Sequence, residues 1–323
     1  MPGSEFDIIR RYFTRQRPAR PDVILGIGDD AAVLQVPAGM ELVVCIDTLV
    51  SGVHFSGATM PDAIGHKALA VNLSDLAAMG ADPAWASLSL TLPADDPPWL
   101  ERFAQGFFAL ADRYGVQLVG GDITRGPLAV TVQAHGFVPG GRALRRQGAR
   151  AGDSIYVTGT LGDAGFALQQ PDALDPAVRQ RLDYPRPRIQ AGQRLRDYAS
   201  AAIDISDGLL ADLGHLLEAD DLGADLQVDA LPRSAAFRAA LADSDPRYDA
   251  LPLGAGDDYE LCFTVPGDCC SAMEAALAGV DGGCKRIGVI AAAAGIRCHR
   301  VDGSEYHPTV TGYQHFGPSS GNA

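Results

Sequence analysis

Four short segments, far apart in the chain, place clustered aspartates beside glycine. They span residues 27–30, 120–122, 203–208 and 256–258. Glycine lets the backbone turn tightly and lets a ligand come close to it, and aspartate supplies the hard anionic oxygen that Mg²⁺ prefers. A single Gly-Asp pair is an ordinary turn. Four sets together predict a fold that presents short carboxylates at loop tips, around several cations and a polyphosphate.

Size and charge narrow the class of protein. At 323 residues, 47% hydrophobic and 20% charged, the chain is typical of a globular protein with two domains. Its net charge of −14 argues against nucleic-acid binding, which needs a basic face. An acidic protein that binds phosphates also needs cations to bridge them. We therefore expect metal ions, and no nucleic-acid partner.

The apolar runs and the cysteines of the sequence predict the cellular compartment of the protein. The apolar runs are short and broken by glycine, so no membrane span or membrane partner is expected. The N-terminus carries acidic residues and no apolar signal-peptide region. The six cysteines show neither CxxC pairs nor zinc spacing. They are expected to be reduced thiols in the cytoplasm.

Strand-like and helix-like segments alternate along the chain, which predicts the α/β class. Helices are predicted at 5–14, 61–79, 97–114, 189–198 and 209–217. Strands are predicted at 42–46, 86–92, 116–119, 128–138, 154–158, 202–203 and 260–265, and those at 42–46 and 260–265, the latter with Cys262, are expected to be buried. Acidic residues follow several of these strands, at the strand ends where ligands of open α/β sheets lie.

A basic, glycine-rich stretch at 140–152 marks the predicted domain boundary. The predicted domains are 1–148 and 149–316, followed by a disordered tail at 317–323.

Known nucleotide motifs are missing. The chain has no GxxxxGK[ST] sequence and no protein-kinase motif set. Gly26-Ile27-Gly28 resembles the start of a dinucleotide fingerprint, but Asp29 and Asp30 follow and would repel the phosphates. Metal-assisted phosphoryl transfer remains, in which positioning and positive charge do most of the catalysis. The chain offers enough carboxylates for more than one Mg²⁺, namely Asp30, Asp47, Asp75, Asp122, Asp204 and Asp207.

The sequence shows no acid–base dyad of histidine and carboxylate. His54 lies in the loop that follows Asp47. No catalytic general base is expected if the acceptor is itself a phosphate, because its second pKa near 6 leaves it largely dianionic at pH 7. Arg146 would be a fixed cation on the phosphates or one of several solvated arginines, and the sequence leaves both readings open.

Longer motifs run over nearly the whole chain. They lie at 28–32, 47–50, 54–55, 67–81, 120–126, 204–209, 258–261 and 312–316, and the longest reads Lys-Ala-Leu-Ala-Val-Asn-Leu-Ser-Asp-Leu-Ala-Ala-Met-Gly-Ala. These motifs resemble those of the thiamine-monophosphate kinase family. That family belongs to a superfamily of ATP-dependent enzymes with aminoimidazole ribonucleotide synthetase and selenophosphate synthetase.

The resemblance implies a two-domain fold of the aminoimidazole ribonucleotide synthetase type. Its N-terminal sheets would pair across a homodimer, and a C-terminal α/β domain would follow. It implies transfer of the ATP γ-phosphate to thiamine monophosphate, the last step of thiamine diphosphate biosynthesis.

The resemblance also implies residue roles. Metal contacts fall on Asp30, Cys45, Ile46, Asp47, Asp75, Asp122, Asp204 and Asp207; nucleotide contacts on Gly121, Asp122, Arg146 and Ser206; and substrate contacts on His54, Asp257 and Tyr313.

Two departures from the family pattern affect the site. Asp257 stands where a longer Glu is expected. Cys45 and Ile46 replace a Ser-Thr pair, so any metal contact there must come from backbone carbonyls.

The rival readings are a different superfamily member or a non-catalytic nucleotide-binding dimer. Selenophosphate synthetase would need a reactive Cys near the N-terminus, and the hydrogenase-maturation relative a C-terminal Cys. This chain has its first thiol at Cys45 and ends in Ala323.

Overall fold

The computed structural model describes residues 4–14, 20–170, 175–280, 282–310 and 312–313. The chain forms two compact units. The first unit comprises residues 1–143 and 183–193, and the second comprises 144–182 and 194–323. The segment 183–193 thus returns to the first unit, which a single boundary at 148 does not anticipate. The predicted tail at 317–323 lies outside the described residues.

The first unit contains a four-stranded sheet and two long helices. Its helices are α1 (Glu5–Ile8), continued by a π-helical turn (Ile9–Phe13), α2 (Pro61–Ala78) and α3 (Pro97–Tyr114). Its strands are β1 (Val23–Leu25), β2 (Val33–Leu34), β3 (Met40–Val50), β4 (Asp82–Leu92), β5 (Gln117–Arg125) and β6 (Ala129–Pro139). The sheet order is β3-β6-β4-β5, with β4 and β5 parallel and the other pairs antiparallel, while β1 and β2 pair separately.

Helices α2 and α3 form where the sequence predicts them. Each begins with proline in its first turn, and Gly115 ends α3 in the left-handed conformation. The two helices touch backbone to backbone, because a Cβ at Gly65 would lie 2.2 Å from the Phe103 carbonyl oxygen and one at Gly106 would lie 1.9 Å from that of Asp62. This contact buries the apolar face of α3 and fixes α2 against the sheet.

Two strand predictions are wrong in their details. The strand predicted at 116–119 continues as β5 to Arg125, so the Gly-Gly-Asp motif lies inside the strand. Pairing with β4 extends through this motif. The strand predicted to be buried at 42–46 belongs to β3, and Leu42, Val44 and Ile46 are 43%, 49% and 60% exposed. Helix α2 covers only one face of this outer strand.

The second unit is a seven-stranded mixed sheet with helices. Its helices are α4 (Asp163–Gln169), α5 (Pro176–Asp183), α6 (Ile189–Leu195), α7 (Leu209–Glu218), α8 (Ala235–Ala240), α9 (Arg247–Gly254) and α10 (Cys270–Leu277), of which α5 ends and α6 begins in the segment 183–193. Its strands are β7 (Ser154–Thr158), β8 (Ala201–Ile205), β9 (Gly223–Gln227), β10 (Glu260–Val265), β11 (Cys284–Ala291), β12 (Gly295–His299) and β13 (Glu305–Tyr306). The order is β13-β12-β9-β11-β7-β10-β8.

The core of the second unit forms between this sheet and α7. Leu209, Leu213 and Leu216 recur at helical spacing and pack with Ile203 and Ile205 of β8. Burial of each such side chain contributes about 1.5–3 kcal/mol. Because β8 is fully buried, its C-terminal end and the following α7 hold the loop between them in a fixed position. Asp204, predicted to follow this strand, lies within it.

Among the described residues, none of the helices has both the length and the apolar character needed to cross a bilayer. All six cysteines are described and are free thiols, as predicted. Cys262 lies in the buried strand β10, also as predicted.

Candidate functional site

Asp30, Gly121 and Asp122 line one cavity of the first unit. The cavity has a volume of about 820 Å³ and lies among the N-terminal helical segment, the loop 26–32 and β5. Its size is that of a small-molecule pocket. The structure therefore brings together three of the residues that the sequence assigns to metal and nucleotide.

Gly121 is required by the packing of β5 on β4. Its φ is +152°, and a Cβ at this position would lie 1.8 Å from the Leu88 carbonyl oxygen. A substitution here would push apart two paired strands. The glycine also leaves this part of the cavity wall without a side chain, so a ligand can approach the backbone.

A second group of predicted ligands lies between β3 and α2. Asp47 on β3 and Asp75 on α2 share a hydrogen bond, and burial raises the pKa of Asp47. Two adjacent carboxylates need a proton or a cation between them to relieve their repulsion. Cys45 lies beside them with its Sγ 3.3 Å from the Asn72 carbonyl oxygen. Burial and the two carboxylates raise the pKa of the Cys45 thiol strongly, so it stays protonated.

The strand register places these two groups on different faces of the sheet. Asp122 pairs with Ser89, Ser89 with Thr131, and Thr131 with Thr48, and directly opposed residues share a face. Successive side chains of a strand point to opposite faces of the sheet. Asp47 is the neighbour of Thr48, so it lies on the face opposite to Asp122. Three strand spacings also separate the outer strands β3 and β5 by roughly 14 Å. Within one chain, Asp47 and Asp122 therefore do not meet at one ion.

Cys45 and Ile46 were predicted to offer backbone carbonyls to a metal. They pair in register with Ala134 and Gln133 of β6. Carbonyls of successive residues in a strand point to opposite edges, and β6 is the neighbour of β3 among the described strands. One of the two carbonyls therefore points away from β6. Its contact with a metal ion remains a prediction.

His54 lies in a tight loop after β3. Its Nδ1 accepts the backbone N–H of Val50 at 3.0 Å, and the backbone N–H of His54 donates to the Val50 carbonyl oxygen at 3.0 Å. With Nδ1 acting as acceptor, the neutral ring carries its proton on Nε2. A general-base role at Nδ1 would require the hydrogen bond from Val50 to break.

In the second unit, one carboxylate organises the loop between β8 and α7. Asp212, only 4% exposed, accepts the backbone N–H groups of Ser206, Asp207 and Gly208 on one oxygen at 3.0, 3.0 and 3.1 Å. Burial, followed by the nearby charges of Asp204 and Asp207, raises the pKa of Asp212 to about 7. The negative charges of Asp204 and Asp207 therefore lie near enough to this carboxylate to disfavour its ionised form.

Two of the three predicted substrate residues join the same loop through backbone hydrogen bonds. The N–H of Asp257 donates to the Ser206 carbonyl at 2.8 Å, and the N–H of Tyr313 donates to the Asp207 carbonyl at 2.9 Å. Four residues with predicted contacts therefore lie side by side, although they come from three distant parts of the chain. Ser206 is predicted to contact the nucleotide, Asp207 the metal, and Asp257 and Tyr313 the substrate. Tyr313 is 47% exposed.

Arg146 is exposed on a segment that is anchored in the second unit. The carbonyl of Arg145 accepts the N–H of Ala202 at 2.9 Å. Asp220 accepts the N–H groups of Gly148 and Ala149 at 2.6 and 3.0 Å. The backbone on both sides of Arg146 is fixed, while its side chain reaches solvent.

Sequence reasoning missed Asp212 and Tyr259. The available signal for Asp212 was an acidic residue in the first turn of α7, where a carboxylate meets unpaired N–H groups. The hydroxyl of Tyr259 donates to Asp257 Oδ1 at 2.9 Å. Tyr259 carried no signal beyond its place in the motif 258–261.

Within the described part of the chain, no set of three or more His, Cys, Asp or Glu side chains is arranged to hold a metal ion. Mg²⁺ is commonly bound by one or two carboxylates, with waters and substrate phosphates completing its shell. Asp47 and Asp75 supply such a pair, and the donor set is hard oxygen throughout. The residues present therefore fit Mg²⁺.

Comparison with known proteins identifies the relatives of this chain. The family model "AIR synthase related protein, N-terminal domain" matches residues 28–138. The thiamine-monophosphate kinase of Escherichia coli strain K12 is 49% identical over 98% of this chain and 99% of its own length.

Solved structures of the same family are also similar to this chain. Thiamine-monophosphate kinase from Stenotrophomonas maltophilia K279a has a TM-score of 0.82 and 48% identity, covering 89% of this chain and 93% of that one. AaThiL complexed with AMPPCP and TMP has a TM-score of 0.75 and 33% identity, covering 90% and 92%. The two-domain α/β fold expected from the sequence is confirmed by these neighbours.

Proposed function

Since this chain belongs to the thiamine-monophosphate kinase family, we propose that it transfers the γ-phosphate of ATP to thiamine monophosphate. The products are thiamine diphosphate and ADP, and the reaction is the last step of thiamine diphosphate biosynthesis. The observation that carries this conclusion is 49% identity over almost the full length of both chains. A related structure that holds the ATP analogue AMPPCP together with TMP supports both substrates.

The nucleotide and the acceptor each have proposed contacts. Gly121 and Asp122 would contact the nucleotide at the cavity of the first unit, and Arg146 and Ser206 in the second unit would add contacts to its phosphates. His54, Asp257 and Tyr313 would contact thiamine monophosphate. Support comes from the fixed backbone around each of them, since positioning contributes much of the rate in phosphoryl transfer.

Several Mg²⁺ ions complete the proposal. Bound Mg²⁺ supplies positive charge to the phosphates of both substrates. The residues that would hold it are Asp30, Asp47, Asp75, Asp122, Asp204 and Asp207, with a backbone carbonyl of Cys45 or Ile46. The hydrogen-bonded pair Asp47 and Asp75 carries this assignment best, because a cation would relieve its repulsion.

The function is tested by product analysis. The purified protein with ATP, Mg²⁺ and thiamine monophosphate should release ADP and thiamine diphosphate in equal amounts, and it should release no ADP without the acceptor. Chelation of Mg²⁺ should abolish turnover. ATP binding without any turnover would instead indicate a nucleotide-binding dimer, and turnover with a different acceptor would indicate another member of the superfamily.

A homodimer through the first unit is also proposed. The exposed side chains Leu42, Val44 and Ile46 form an apolar row on the outer strand β3. Pairing with the same sheet of a second copy would remove this row from water.

The six free thiols support a reducing compartment, for which we propose the cytoplasm.

Light scattering tests the dimer. We expect a mass of twice the 33.8 kDa of one chain at micromolar concentration. Val44→Glu should shift the mass towards one chain, because it places a charge in the proposed interface. Leu168→Glu, which changes an exposed apolar side chain of the second unit, is the control and should leave the mass unchanged. A wild-type mass near 33.8 kDa would contradict the proposal.

A further inference from the structure

The segment 256–259 has an unusual backbone. Asp257 and Tyr259 have φ values of 60° and 50°, and among the described non-glycine residues only Asp221 shares this left-handed conformation. The conformation is costly for residues that carry a Cβ. Costly backbone persists where the surroundings enforce it, and such positions cluster at functional sites.

Hydrogen bonds on both sides enforce this backbone. The N–H groups of Asp257 and Tyr259 donate to the carbonyls of Ser206 and Ile205, each at 2.8 Å. The Asp258 carboxylate, between them, accepts the N–H of Gly162 at 3.0 and 3.1 Å. The main chain on either side of the Asp257 side chain is therefore fixed to β8, to the loop after it and to the loop before α4.

One contact then decides where the Asp257 carboxylate points. The Tyr259 side chain is 8% exposed, and its hydroxyl donates to Asp257 Oδ1 at 2.9 Å. Since both the ring and the backbone of Tyr259 are held, the hydroxyl is a donor in a fixed position. Asp257 is half-buried beside Ser206 and Asp207. A carboxylate can accept several hydrogen bonds, so Asp257 can also accept one from a donor group of a ligand.

We propose that Tyr259 is a positioning residue that fixes the Asp257 carboxylate for recognition of thiamine monophosphate. This inference rests on the proposed function. An anionic carboxylate accepts hydrogen bonds and repels phosphate, so Asp257 receives a donor or cationic group on the thiamine moiety. Tyr259 acts on acceptor binding, and the transfer step does not depend on it.

Tyr259→Phe tests this role because it removes only the hydroxyl. We expect the KM for thiamine monophosphate to rise about tenfold to a hundredfold, the effect of losing one hydrogen bond to a charged group. The kcat and the KM for ATP should stay within about twofold of the wild type. The matched control is Tyr156→Phe, which removes a hydroxyl that donates to the Glu274 carboxylate at 2.7 Å in the same unit. It should leave all three constants unchanged.

A double-mutant cycle separates positioning from general loss of structure. In an Asp257→Ala background, Tyr259→Phe should cause no further rise in KM, because its partner is gone. An undiminished rise in that background, an unchanged KM in the single variant, or a fall in kcat alone would overturn the inference. Wild-type turnover of thiamine monophosphate, measured in the same series, reports separately on the proposed function.

Discussion

Asp75→Asn should lower kcat about a hundredfold or more while the protein remains folded. Asparagine keeps the size of the side chain and its ability to hydrogen bond to Asp47, so the packing between β3 and α2 is preserved. The substitution removes one negative charge from the carboxylate pair proposed to hold Mg²⁺. Loss of a charge-stabilising contact in a transition state costs about 2.7–4 kcal/mol. Steady-state rates at saturating ATP and acceptor measure the effect, and Asp122→Asn should behave similarly.

The same helix provides a matched control. Asp62 lies in the first turn of α2 and accepts hydrogen bonds from Arg102 and Tyr184, both outside the proposed metal site. Asp62→Asn should leave kcat within about twofold of the wild type. If Asp75→Asn reduces kcat less than about tenfold, which corresponds to 1.4 kcal/mol, Asp75 does not contact a metal ion.

Thermal unfolding gives a second measure of the same contact. Mg²⁺ that binds only the folded protein raises its melting temperature. This increase should be smaller for Asp75→Asn than for the wild type or Asp62→Asn. Without Mg²⁺ the variant should be no less stable than the wild type, because a charge that repels Asp47 has been removed.

The sequence predicts the long helices well because local signals delimit them. Proline opens α2 and α3, Gly80 and Gly115 follow them, and these residues act without help from the rest of the fold. The end of β5 was mispredicted because Gly120-Gly121 is locally a turn signal. Pairing with β4 overrides it. Tertiary structure decides such positions.

The sequence identifies the carboxylates of the candidate site, but it does not show which of them lie close together. Asp47 and Asp122 fall on opposite faces only because of the registers that join β3, β6, β4 and β5. Register over three strand pairs is a property of the whole sheet. The exposed face of β3 was missed for a related reason, since an apolar run does not reveal how many of its faces are covered. Asp212 acts through backbone N–H groups, so its signal in the sequence was limited to its place in the first turn of α7.

Free thiamine should be phosphorylated at least about a thousandfold more slowly than thiamine monophosphate. The hydroxyl of free thiamine would have to lose its proton to a general base, and general bases contribute about 10²–10⁴-fold to such steps. His54, the histidine assigned to the substrate, accepts the Val50 N–H on Nδ1 and so carries its proton on Nε2. An acceptor phosphate needs no base, because it ionises unaided near pH 6. ADP release with each acceptor measures the ratio.

The pH dependence follows from the same chemistry. The dianionic acceptor phosphate is the nucleophile, so kcat/KM should fall about tenfold per pH unit below pH 6 and level off above it. Histidines ionise in the same range, and His54→Asn distinguishes the two groups. If His54 only binds the acceptor, the variant raises KM and keeps the acidic limb, because the limb belongs to the substrate. Loss of the limb with a kcat lower by several orders of magnitude, or comparable turnover of free thiamine, would make His54 a base and the mechanism wrong.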